Sequence, residues 1–112
     1  MKNDSLIFLW SRISEIVRRC SLNLDIFIDE FGDLRVRTSE GRPFASVRIQ
    51  QSHVGVYLLP LYHHPGVIGP FLSNRKSGKG TLQFKDEKDP AIEEIADLIE
   101  TCLNLVGKYW IY

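Results

Sequence analysis

Between residues 24 and 58, apolar side chains recur at every second position in four consecutive short runs, and no other feature restricts the possible fold as strongly. Leu24, Ile26 and Ile28 alternate with Asp25, Phe27 and Asp29. Leu34 and Val36 alternate with Arg35 and Arg37, and Ala45, Val47 and Ile49 with Ser46, Arg48 and Gln50. The fourth run, "HVGVYLL", sets Val54, Val56 and Leu58 on one side. A period of two is that of a strand with one buried face. Phe31-Gly32-Asp33, "SEGRP" and Gln51-Ser52 separate the runs, each long enough only for a reversal. The pattern predicts an antiparallel meander. It also sets the acids of the first strand opposite the arginines of the second, a pairing worth a few tenths to about 1 kcal/mol.

On either side of this region the period changes to that of a helix. Leu6, Leu9, Trp10, Ile13, Ile16, Val17 and Cys20 follow three- and four-residue steps. Asp4 or Ser5 is expected to cap the start, and Arg18 and Arg19 suit the end, where unpaired carbonyls are electronegative. At the other end, Asp89-Pro90 reads as a capping carboxylate followed by proline at the first helical position. Ile92, Ile95, Ile99, Cys102 and Val106 then form one stripe, with Gly107 as the expected stop. A fifth strand is expected at "GTLQF", with Leu82 and Phe84 on one face. The fold class is therefore α+β: an α-β(5)-α two-layer sandwich whose terminal helices cover one face of the sheet.

A chain of 112 residues is one domain, 1–112, able to bury roughly 65% of its unfolded surface without metal or disulfide. Cys20 and Cys102 lack CxxC spacing and both fall on helical stripes, so buried thiols in a reducing cytoplasm are expected. "LIFLW" is too short for a signal segment, and no run approaches the ~20 apolar residues that span a bilayer. Formal net charge is zero, which argues against a nucleic-acid partner. Acids concentrate between Asp86 and Glu100 and arginines between Arg12 and Arg48, predicting an acidic and a basic solvated side.

The chemistry candidates are few. His63 and His64 are adjacent, and adjacent residues on an extended chain point apart, so they read as loop histidines rather than metal ligands. "SNRKSGKG" offers backbone N–H groups and cations to an anion. It is not a phosphate-binding P-loop: Ser73 and Gly80 stand where that motif needs glycine and a hydroxyl residue, and a strand follows, not a helix. Glu93, Asp97 and Glu100 fall on one helical face and are hard oxygen ligands, suited to weak cation binding. No serine elbow, Cys–His context or HExxH points to an enzyme. An open sheet also leaves a face and edges that a homodimer can use.

Two segments, "PFASVRIQQSHVGVYLLPLY" and "GKGTLQFKDEKDPAIEEIADLI", resemble the YdhG-like bacterial family, whose fold is frataxin-like. The resemblance rests on Phe44, Ala45, Val54, Tyr57, Pro60, Tyr62, Gly78, Lys79, Gly80 and Phe84. It implies the same α-β(5)-α sandwich. Frataxins bind iron weakly through acids of the first helix and the neighbouring strand edge. Here the acids lie instead in the first strand, at Asp25, Asp29 and Glu30, and on the last helix. The expected function is a non-enzymatic binding or interaction module. It would use the connection between the fourth and fifth strands, with Tyr57, Tyr62, Arg75, Lys76 and Lys79 contacting a protein or an anionic small molecule. The alternative is a weak iron-binding chaperone using Glu93, Asp97 and Glu100.

Overall fold

The computed structural model describes the backbone of residues 2–109 and the side chains of residues 5–105. Helix α1 (Lys2–Cys20) leads into strands β1 (Asp25–Glu30), β2 (Asp33–Arg37), β3 (Pro43–Ile49) and β4 (Val54–Leu58). The connection to β5 (Thr81–Phe84) contains short helices α2 (Leu59–His63) and α3 (Pro70–Ser73), with a 3₁₀ turn at Pro65–Val67 between them. A further 3₁₀ turn (Pro90–Glu94) opens α4 (Ile95–Tyr109). The five strands form one antiparallel sheet in the order β1-β2-β3-β4-β5, the meander that the alternation predicts.

The register explains the core. Val36, Ala45 and Leu58 face one another across three strands, as do Leu34, Val47, Val56 and Leu82, and then Ile49, Val54 and Phe84. All but Ile49 are buried, and α1 and α4 close over them with Leu9, Ile13, Val17, Ile95, Ile99 and Cys102. Trp10 ties the layers together: its Nε1 donates to the Val47 carbonyl at 2.8 Å. Gly32, at φ +81°, takes the left-handed position of the two-residue β1–β2 turn. No helix among the described residues is long and apolar enough to cross a membrane.

Two bulges break the expected alternation. Ile26 pairs with Val36 but Ile28 with Arg35, so Phe27 is an extra residue and the strand changes sides there. Ile28 moves to the outer face, and Asp29 turns toward α1, where it accepts from Arg18 at 2.7 Å. Only Asp25 meets an arginine of β2 as expected, Arg37, at 2.7 Å. A second bulge at Phe44 places it and Ala45 both inside.

Other corrections have equally local causes. The fourth strand stops at Leu58 and α2 follows at once, with Pro60 in its first turn, so His63, read as part of an extended chain, is helical. In α3, Phe71 is 59% exposed, whereas Leu72 is buried. α1 begins at Lys2, so Asp4 and Ser5 lie inside it. Gly107 does not end α4, which runs on to Tyr109; the Val106 side chain is outside the described residues. Cys102 is buried and its thiol is pushed up to about 12, but Cys20 is only half-buried. The basic and acidic stretches meet at one point: Arg12 of α1 reaches Glu93 at 3.9 Å and donates to the Glu87 carbonyl.

Candidate functional site

The connection after β4 is built as a rim on the last strand. Residues 75–77 run back along the free side of β5: the Gln83 N–H donates to the Arg75 carbonyl at 2.8 Å, and the Ser77 N–H to the Thr81 carbonyl at 2.9 Å. Lys76 and Leu82 form a bridge between these two pairs. This turns the expected loop into a partial sixth strand and covers an edge that would otherwise be open.

The five residues singled out in the sequence divide between two places. Lys79 lies with its Nζ 5.6 Å from the centre of the Tyr62 ring, a cation–π arrangement. Burial, and secondarily the nearby Tyr62 phenol, hold the Tyr57 phenol above its ordinary value. Tyr57, Tyr62 and Lys79 therefore share one corner, where β4 ends and β5 begins.

Arg75 and Lys76 belong to a separate depression of about 250 Å³. Its lining is Asn74, Arg75, Lys76, Ser77, Gln83 and Lys85. Each of these side chains carries a hydrogen-bond donor, three are cations, and none is a carboxylate. Arg75 is held in place by Asp89, to which its Nε and NH2 both donate, the latter at 2.9 Å. Asp89 in turn accepts from the Ala91 N–H at 3.0 Å, capping the turn before α4. Asn74, Ser77, Gln83 and Lys85 were not singled out by sequence. Gln83 and Lys85 belong to the depression only through the pairing of β5 with residues 75–77, which no local pattern announces.

The Arg75 guanidinium, chiefly through its hydrogen bonds, holds the Asp89 carboxyl below the ordinary 3.8. Because the folded value is depressed, its contribution to stability is present above the unfolded value and is lost as pH falls through the folded one. Replacing Asp89 with Ala is expected to remove about 1–2 kcal/mol at pH 7 through the cap alone. At pH 2 the variant and the wild type should differ much less. Urea titrations of both proteins at the two pH values check this, and a difference that stays constant would rule out the charged cap.

The carboxylates proposed for iron are not gathered. Glu93 sits in the 3₁₀ turn facing Arg12, while Asp97 and Glu100 project from α4 itself. In β1, Asp25 and Asp29 are each engaged by an arginine. Among the described residues, no three His, Cys, Asp or Glu side chains are placed to hold one metal ion. No family model, curated protein or solved structure matches the chain.

Proposed function

We propose that this chain is a non-enzymatic binding module that captures an anionic group on the β4–β5 connection. The observation that supports it best is the lining of the 250 Å³ depression, all donors and no carboxylate. Arg75 is pre-oriented by Asp89 and the main chain at 75–77 is pinned to β5, so little ordering remains for a ligand to impose. Lys76 and Lys85 supply mobile charge, and Asn74, Ser77 and Gln83 supply neutral donors at the same place. Tyr62 and Lys79 flank the connection at its other end and offer a second contact to a larger partner. Membership of the YdhG-like family and a cytoplasmic location belong to the same proposal, supported by the α-β(5)-α order and by two unpaired cysteines.

Inorganic phosphate is the probe. Titrated into labelled protein at low ionic strength, it is expected to shift the amides of Asn74, Lys76, Ser77, Gln83 and Lys85 in a saturable way. Lys76→Ala with Lys85→Ala should weaken binding at least tenfold, and raising the salt to 0.5 M should weaken it in the wild type. Identical titrations of the wild type and the double variant would remove the depression as the site.

A further inference from the structure

The outer face of the sheet carries a second hollow that the β4–β5 connection does not form. Its origin lies in one cross-strand row, Ile28, Arg35, Ser46, Tyr57 and Thr81, neighbours in register on β1 to β5. The central member is a serine and the residues beside it are large. The result is a hollow of about 210 Å³ walled by Phe27, Arg35, Pro43, Arg48 and Tyr57, with Ser46 on its floor. Val36 and Ala45 also line it, and since their side chains are buried on the other face, they contribute main chain. Phe27 is on this face as the alternation predicts, and the bulge at Phe27 brings Ile28 onto the same face beside it.

The polar groups of the hollow are unequally occupied. Arg35 donates from Nε and NH2 to the two oxygens of Asp33, at 2.9 and 3.0 Å. Among the described residues, Arg48 has only a 3.8 Å approach to that same carboxylate, both of whose oxygens already accept from Arg35. The Ser46 and Tyr57 hydroxyls make no hydrogen bond among the described residues. Arg37, whose guanidinium lies 5.0 Å from the Phe27 ring centre, is paired with Asp25. Glu30 stands at the exposed outer end of the neighbouring row, opposite Asp33, and does not line the hollow. Two guanidinium groups therefore line a space with aromatic walls, and the carboxylate nearest to both, Asp33, stands beside the hollow and is turned to Arg35.

We infer that this hollow is a binding site for a small planar ring carrying one carboxylate. The ring lies on the main-chain floor between Phe27 and Tyr57, where aromatic faces and edges favour offset contact. The carboxylate takes the donors of Arg48, whose planar fork matches it, with the Tyr57 or Ser46 hydroxyl as a third partner. The space is smaller than the ~300–1,000 Å³ typical of sites for drug-sized molecules, which limits the ligand to a single ring. This site is independent of the anion depression, since the two share no lining residue.

Benzoate, benzyl alcohol and inorganic phosphate, each titrated into labelled protein, test the inference. Benzoate is expected to shift the amides of Arg35, Ser46, Arg48 and Tyr57 saturably, and neither benzyl alcohol nor phosphate should do so at equal concentration. Arg48→Gln should weaken benzoate at least tenfold. Ser46→Val, which fills the hollow with a residue suited to a strand, should abolish binding while the rest of the spectrum stays folded. Three results would each overturn it: no benzoate shifts at 50 mM, equal shifts from benzyl alcohol, or benzoate shifts confined to residues 74–85. Binding that survives Ser46→Val would do the same.

Discussion

Trp10→Ala is expected to cost about 4 kcal/mol, the largest effect of any single change considered for this fold. Trp10 is 5% exposed and bridges the two layers, with its ring against the sheet and its Nε1 hydrogen-bonded to Val47 in the central strand. Truncation removes a large apolar surface and leaves a cavity between α1 and β3. It also removes the second hydrogen bond accepted by a carbonyl of the central strand, a net loss of about 1 kcal/mol. The ring further supports the β1–β2 turn, since Phe31 lies 5.8 Å away, centre to centre. With domains of this size losing about 4–8 °C per kcal/mol, the melting temperature should fall by about 20 °C.

Trp10→Phe separates the two contributions. It keeps most of the ring and loses only the donor, so about 1–2 kcal/mol is expected. Circular dichroism melts of the two variants beside the wild type give the comparison. If Trp10→Ala costs less than Trp10→Phe is expected to, α1 is not anchored to β3 through this residue. Equal losses in both variants would mean that the hydrogen bond, and not the packing, holds the helix.

The layer architecture was legible because the burial period changes twice along the chain, from 3.6 to 2 and back. Leu34, Val36, Val47, Val56 and Leu82 fell on the face that the alternation assigned to them. Phe27 and Phe44 did not declare themselves as bulges. One inserted residue in an apolar strand leaves no mark except an apolar side chain of the wrong parity, which an exposed aromatic also explains. The α2 helix was signalled by Pro60 but masked by the leucines on both sides of it, which suit a strand equally well. Gly107 inside α4 costs only about 1 kcal/mol relative to alanine, so continued helix outweighs it.

The sites were less legible than the fold for a related reason. Arg75 and Asp89 are fourteen residues apart in sequence, and nothing local announces that one orients the other. The hollow around Ser46 exists only because four registers place Phe27, Arg35, Arg48 and Tyr57 around a small residue. Sequence joined Tyr57 and Lys76 into one candidate site, whereas in the structure they line two separate depressions.

Gly80→Ala is the second large effect expected, about 2–3 kcal/mol, as for a methyl group forced into a packed site. An added Cβ would lie 2.9 Å from the Leu58 carbonyl oxygen, 3.0 Å from the Tyr62 Cβ and 3.3 Å from the Tyr62 nitrogen. Two of these are main-chain atoms, and no rotamer change can move them. Nor can the strands simply part, because the Leu58 N–H donates to the Gly80 carbonyl at 2.8 Å. The strain must fall on the join between β4 and α2, displacing Tyr62 and with it the ring that carries Lys79. Gly78 is the control: a Cβ there meets only Thr81, no closer than 3.8 Å, so Gly78→Ala should stay within ~0.5 kcal/mol of the wild type. Urea titrations of the two variants decide the matter. A Gly80→Ala protein as stable as Gly78→Ala would show that β5 does not approach α2 this closely. The expected contrast instead gives the Gly-Lys-Gly run a divided meaning: Gly80 is required by packing, and Lys79 is an exposed residue whose contact is with the Tyr62 ring. Lys79→Ala should cost no more than its exposed contact with Tyr62 is worth, about 0.5–1 kcal/mol, so a large loss of binding can be read as a lost contact rather than a lost fold.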